Sequence, residues 1–440
     1  RFSLVTGVQT CALPIWNEQM NNIINRRKIA DGVYFSSITD KRYKKNLISV
    51  AFSTQLSEET ATENVIVPLL LTKCNSKLPS YKAFNNKMSR LYASGIGGTT
   101  GRQYDLQTIS FGAYYLDDVY ALAGEKMTEI MTDIFIDCLT SPVTENGVFT
   151  AKFVELEKKT AIDNIETAIN DKRSYAIERA MKTICKGEPA SVCSYGTVEK
   201  AKLITPDSAY KAYRRMLETM PCEIICTGCS NFDGVAEKFA AAFEKAGRHD
   251  IEHTTIALSP VKTQTEEVTE RLTVNQSKLV LGFKSHSDDD AALVLLQKIF
   301  GGTTSSKLFQ NVREKMSLCY YCSAARNDLK GIMLVNSGVE NENIEKTKNA
   351  VVDQLEEIKN GNFTDEDINF AEMAIKNDFN SVADSAGNVS NWYFDCIRKN
   401  DIVTPEEKLE RYLGVSKERI IAAAKSMVLD SVYVLTGNEN

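Results

Sequence analysis

Residues His249-Asp-Ile-Glu-His253 set two histidines four positions apart around a glutamate. On a helix, that spacing puts both imidazoles on one face, where they can hold Zn²⁺ while the carboxylate activates a metal-bound water. The chemistry therefore requires a helix. The preceding FAAAFEKAG is helical in pattern, but Gly247 is a natural helix stop. Thr254, Thr255 and Ile256 follow at once and favour extended chain. Ile251 stays in helical phase with Phe243, so a helix running through Gly247 is the alternative that keeps a metal site alive. The context predicts a solvated linker.

Other spacings carry weaker chemistry. Cys222, Cys226 and Cys229 form C-x₃-C-x₂-C, the spacing of an iron–sulfur ligand set. Four residues of strand would hold Cys222 and Cys226 about 13 Å apart, too far for one cluster, so core cysteines are expected. The glycine run GIGGTTG (Gly95 to Gly101) looks like a phosphate loop, but it follows a helical pattern and precedes a strand. Phosphate cradles run strand, loop, helix, so a turn is expected. Three acids at Asp288 to Asp290 lack the spacing of a calcium loop and read as a helix start after Ser287.

These residues sit in a chain of 440 residues, 43% hydrophobic and 25% charged, ample for sizeable cores. The net charge of −6 gives no basic footprint for nucleic acid. No apolar run is long enough to span a bilayer. The eleven cysteines are scattered, which predicts reduced thiols and a cytoplasmic protein. VTGVQTCALPI (Val5 to Ile15) resembles a translated sequencing adapter, and Gln9 and Thr10 break the apolar core that a signal peptide needs. Residues 1–16 are expected to be that adapter and no part of the fold.

An internal repeat organises the rest. SRLY ending at Tyr92 and SKLF ending at Phe309 stand 217 positions apart. At the same offset Phe153-Val-Glu155 matches Phe370-Ala-Glu372, Tyr175 matches Trp392, and Tyr104 matches Tyr321. LISVAFSTQ and KLVLGFKSH read as equivalent strands, and CEIICTG and SVYVLTG each close a half with a strand. Thr205-Pro206 and Thr404-Pro405 each put a capping hydroxyl before a first-turn proline, and Glu407 completes a capping box with Thr404. The predicted fold is α+β: two tandem homologous domains, each an antiparallel-rich sheet packed with helices. Their predicted limits are 17–235 and 265–440, joined by a polar linker over 236–264.

This duplicated plan resembles the insulinase/pitrilysin-type metallopeptidases and their noncatalytic sister subunits. The stretches that carry the likeness are LTKCNSKLPSYKAFNNKMSRLYASG, INDKRSYAIER and LFQNVREKMSLCYY. The first two are most similar to the YfmF-like subgroup, associated with 5-aminopentanol modification of elongation factor P. The resemblance implies a mitochondrial processing peptidase-like fold. In active members a zinc helix lies just before a segment like TKCNSKLP. Aligned so, Val65 and Leu69 take the histidine positions and Pro68 the glutamate position, while Asn164 falls where the third ligand, a glutamate, belongs. None of these side chains supplies the donors of that site, so the resemblance implies no metal held by this chain and zinc in a partner. In NVREKMSLCYYC, Arg313 and Tyr320 match an arginine–tyrosine pair that the family uses near the scissile bond. A guanidinium can hold a peptide carbonyl, and a phenol can donate to a developing oxyanion. Tyr321 is the alternative, one position out of register.

Three functions stay open. The first is a noncatalytic subunit pairing with an HxxEH-bearing homologue as a heterodimer around an extended peptide or unfolded protein substrate. The second is a self-sufficient zinc peptidase using His249, Glu252 and His253. The third is a pure scaffold or binding module.

Overall fold

The computed structural model describes residues 24–437; the adapter-like stretch lies outside them. Strands β1 (Arg27–Ala30), β2 (Val33–Thr39), β3 (Lys45–Gln55), β4 (Gly95–Gln103), β5 (Leu106–Leu116) and β6 (Cys222–Gly228) form one six-stranded sheet in the order β1-β2-β6-β3-β5-β4. Strands β7 (Glu266–Arg271), β8 (Ser277–Lys284), β9 (Cys319–Asn327), β10 (Ile332–Val339) and β11 (Val428–Thr436) form a second sheet in the order β9-β10-β8-β11-β7. Apart from β1 the two orders correspond strand for strand. In each, an N-terminal strand pairs in parallel with the closing strand (β2 with β6, β7 with β11) and the other pairs are antiparallel. The repeat read from the sequence is thus a repeat of topology.

Alternation along the strands decides which face each sheet buries. In β3, Ile48, Val50 and Phe52 are buried on one face. They pair across to Ala113, Phe111 and Ile109 of β5. Against this face pack α1 (Ala61–Leu71), α2 (Tyr81–Arg90), α3 (Met127–Thr140), α4 (Ala151–Ala168), α6 (Pro206–Thr219) and α7 (Asp233–Ala246). The second sheet is covered likewise by α8 (Asp290–Gln297), α9 (Ile344–Lys359), α10 (Asp365–Asn380), α12 (Pro405–Tyr412) and α13 (Lys417–Ser426). Thr205 and Thr404 cap α6 and α12 in capping boxes, with a proline in the first turn of each. Asp289 caps α8 by accepting from the Ala292 amide at 3.1 Å, a cap two residues later than Ser287.

Two boundaries differ from those expected. Residues 236–246 are not linker. They complete α7, whose Val235, Phe239 and Phe243 sit in the first core, because an apolar stripe at helical spacing outweighs the polar residues between. Gly247 then ends the helix at φ 70°, and the connection spans 247–265. Nor is that connection loosely solvated. The Thr255 amide donates to Gln55 Oε1 at 3.0 Å, the Ala257 amide to Asp105 Oδ2 at 3.0 Å, and the Ser259 amide to the Lys330 carbonyl at 2.9 Å.

The opposite faces of the sheets are covered by exchange. Helix α5 (Lys172–Ile184), from the first half, lies on the second sheet, with Ala176, Ala180 and Ile184 against Val280, Tyr433 and Leu435. Gly282 of β8 permits the approach: a Cβ there would stand 2.6 Å from Ile184 Cδ1. Helix α11 (Ala386–Arg398), from the second half, lies on the first sheet, with Val389, Tyr393 and Cys396 clustered with Ile38 and Ile225. Tyr175 and Trp392, the repeat-related pair, belong to these two helices. Charges lock the seam. Lys330, 1% exposed, reaches Asp105 Oδ2 at 2.7 Å and Glu188 Oε2 at 2.7 Å, both in the first half. Buried Lys284 Nζ donates to the carbonyl of Ile184 at the end of α5, at 2.8 Å.

Candidate functional site

The first sheet ends in β4, and the glycine run expected to be a turn is this edge strand. Glycines at 95, 97, 98 and 101 leave little side chain on it, and the register with β5 runs unbroken from Gly95–Tyr114 to Gln103–Leu106. Gly98 is required by a neighbour: a Cβ there would meet Pro68 Cβ at 2.8 Å. Proline was not fatal to α1 as a helix; it stands in the last part of an eleven-residue helix, and Thr72 Oγ1 satisfies its carbonyl at 2.8 Å.

The positions aligned with a zinc site lie on α1 and α4. Val65 and Leu69 are half-buried one turn apart, and Pro68 is buried against the glycine strand. Asn164 lies on the exposed side of α4. Two aliphatic side chains, a proline ring and an amide do not fit Zn²⁺, which takes imidazole, thiolate or carboxylate donors. Glu157, seven residues before Asn164 on the same helix, is a carboxylate that the aligned positions do not include. It is buried and paired with Lys73 Nζ at 2.6 Å. Leu69, Lys73 and Glu157 line a largely apolar pocket of about 220 Å³ together with Phe153 and Leu156. The spacing to Asn164 was the available signal.

The HDIEH stretch is not helical. His249 and His253 follow the Gly247 stop, and Asp250 has φ 44°. Glu252 accepts from Thr54 Oγ1 at 2.6 Å and Thr219 Oγ1 at 2.9 Å, so its carboxylate fastens the linker to β3 and α6. Among the described residues no group of three or more histidine, cysteine or acidic side chains is arranged to hold a metal ion. Cys222 and Cys226 are buried in β6 and Cys229 is half-buried after it. Burial pushes the Cys222 and Cys226 thiols up, away from the thiolate a cluster needs.

Arg313 and Tyr320 are brought together on the second half. Arg313 lies in the last turn of the short helix Leu308–Lys315, and Tyr320 is the second residue of edge strand β9. Cys319 faces Val339 and Tyr321 faces Gly338, so Tyr320 is the extra residue of a bulge. The bulge turns Tyr320 outward, 58% exposed, while Tyr321 is half-buried with the Arg173 guanidinium 4.6 Å from its ring. Arg313 Nε donates to the Tyr320 carbonyl at 2.9 Å, and its guanidinium lies 4.5 Å from the Phe309 ring. The Tyr320 hydroxyl donates to Glu340 Oε1 at 2.6 Å. That hydrogen bond raises the pKa of the phenol, keeping it a donor at neutral pH. Glu340 comes from just past the end of the neighbouring strand β10, and no spacing in the sequence marks it.

No helix among the described residues is long and apolar enough to cross a membrane. The family description "Peptidase M16 inactive domain" matches residues 203–375. The chain is 26% identical over 409 residues to "Probable inactive metalloprotease YmfF" of Bacillus subtilis (strain 168), covering 91% of this chain and 95% of that protein. A conserved protein from Enterococcus faecalis V583 superimposes with a TM-score of 0.85 at 25% identity, over 95% of this chain and all of that one. A peptidase M16 inactive domain from Pseudomonas fluorescens shares the fold, with a TM-score of 0.77 at 17% identity over 95% of this chain and 98% of that one. A near-full-length likeness to a probable inactive metalloprotease, a family description matching residues 203–375 and a shared two-sheet fold make the chain similar to the inactive-type M16 peptidases, the insulinase/pitrilysin group.

Proposed function

We propose that the chain is the noncatalytic member of a peptidase pair. Its partner is an HxxEH-bearing M16 homologue that holds the zinc, and the two enclose an extended peptide or unfolded segment. The observation that carries this reading is the Arg313–Tyr320 pair, presented on the surface by a bulge, in a chain whose aligned zinc positions hold no donors. The guanidinium would grip a substrate carbonyl and the phenol would donate to the oxyanion formed at the partner's metal. The unpaired side of β4 supplies backbone donors and acceptors for an added peptide strand. Resemblance to the YfmF-like subgroup connects this role to elongation factor P modification. The end of α7 at Ala246 and the start of β7 at Glu266 support a first domain that closes at 246 and a second that opens at 266, with α5 and α11 exchanged.

Mixing the chain with such a homologue should create peptide cleavage that neither shows alone. Arg313→Ala and Tyr320→Phe should each lower turnover while the pair still assembles. The bond from Tyr320 to Glu340 and that from Arg313 to a carbonyl favour a second reading, a scaffold in which both residues are structural. Undiminished turnover in both variants would leave that scaffold reading alone.

A further inference from the structure

The face of the first sheet turned away from its core carries Ser49, Thr108 and Ser110 among Leu47 and Ala51, and α11 covers only part of it. Between them lies a cleft of about 610 Å³, within the range of ligand sites. Its sheet wall includes Gln103, Thr108 and Ser110, and its helix wall Asn391, Asp395 and Arg398. Two of these groups are orphans. Thr108, 4% exposed, has no hydrogen-bond partner at Oγ1 among the described residues, and buried Gln103 Oε1 has none either. Buried polar atoms without partners are rare in native proteins and call for an explanation. Arg398 is the third anomaly. Its side chain is 14% exposed, and among the described residues the only carboxylate within ion-pair distance is Asp395, at 3.7 Å. The nearby acids are engaged elsewhere: Asp395 and Asp328 with Lys399 at 2.6 and 2.5 Å, and Glu223 with Arg26. Arg398 also borders a second cavity of about 330 Å³. A desolvated guanidinium, always charged and without a bidentate partner, is an anion receptor waiting for its anion.

We propose that this cleft binds a carboxylate of the ligand, with Arg398 as its receptor and Thr108 and Gln103 as flanking hydrogen-bond partners. One cation beside Asp395 and neutral amides and hydroxyls suits a planar monoanion better than a phosphate dianion. Gln103 Oε1 would accept an N–H such as a peptide carries. The inference rests on the peptide-binding role proposed above, and the carboxylate is either a peptide's C-terminus or an acidic side chain.

Three dansylated probes separate the sources on the full-length chain: Ala-Ala-Ala as free acid, the same peptide amidated, and amidated Ala-Glu-Ala. Fluorescence anisotropy should show at least one carboxylate probe binding about tenfold tighter than the neutral amide. Preference for the free acid assigns a C-terminus, and preference for the glutamate probe assigns a side chain. Arg398→Gln should erase that preference and Arg398→Lys should restore part of it. Thr108→Val, which removes an unpartnered hydroxyl and so spares folding, should weaken the preferred probe measurably. Equal affinity for all three probes, no binding of any, or an undiminished preference in Arg398→Gln overturns the proposal. If Arg398→Gln does not fold, unchanged affinity in Thr108→Val overturns it. Partner-dependent cleavage without carboxylate preference would sink this site alone. Carboxylate-selective binding with no cleavage in any mixture would sink the paired-subunit reading alone.

Discussion

Replacing Lys330 with methionine keeps most of the aliphatic stem and deletes one charge from the seam between the halves. Lys330 is 1% exposed and bonds Asp105 at 2.7 Å and Glu188 at 2.7 Å. Without it, two carboxylates crowd a buried site. Among the described residues they keep neutral donors alone: the Ala190 and Ala257 amides on Asp105 and the Ser259 hydroxyl on Glu188. Removing one partner of a buried ion pair costs about 3–5 kcal/mol, because the remaining charge stays desolvated. A large unit loses about 2 °C of Tm per kcal/mol, so scanning calorimetry should show a fall of about 6–10 °C. Burial opposes the lysine's charge, but the two carboxylate hydrogen bonds outweigh it and raise its pKa above the ordinary lysine value. A raised cationic pKa contributes stability that is complete at neutral pH and is lost only as pH climbs through the folded value. The difference between wild type and Lys330→Met should therefore be constant from about pH 6 to 9 and shrink only in strong alkali. Adding Asp105→Asn and Glu188→Gln to Lys330→Met should recover most of the loss, since no charge is then stranded. A Tm for Lys330→Met within about 1 °C of wild type, or no recovery in the triple variant, would falsify the account of the seam.

Two further outcomes follow from the site. A hydrogen bond from the Cys322 thiol, then one from Ser337 and the charge of Arg313, hold Cys319 down to about 7 against the opposing effect of burial. Its alkylation by iodoacetamide should rise through a midpoint near that pH, with Cys222 and Cys226 protected; a midpoint in the ordinary thiol range, unmoved by Arg313→Ala, would contradict this. Installing Val65→His, Pro68→Glu, Leu69→His and Asn164→Glu together should produce a chain that carries about one zinc, measured by metal analysis against wild type; failure to gain metal in a folded variant would show the alignment of α1 and α4 to be out of register.

The topology was legible because it is written twice. Matches such as Phe153 with Phe370 and Tyr175 with Trp392 survive at one spacing, and threonine–proline caps and strand alternation are local signals. What stayed hidden was non-local. Nothing in INDKRSYAIER says that α5 covers the other half's sheet, because its apolar stripe would fit either sheet. The glycine run of β4 reads locally as a turn, because the room that Gly98 leaves for Pro68 is a contact 30 residues away in sequence. Gly247 as a stop was readable in itself, whereas the hydrogen bonds that stitch down the linker, and the isolation of Arg398, depend on what the fold leaves around them.

The exchange of α5 and α11 makes the two halves interdependent in a way that a linker alone would not. Each sheet takes part of its cover from a segment encoded in the other half of the chain, so neither half separated from the other would find all its apolar surface sheltered. A protease nick within 247–265 should accordingly yield two fragments that copurify rather than drift apart. After the ancestral duplication, such reciprocal lending would also have tied the copies to a common fate: once one had surrendered its helix, losing the other would expose both.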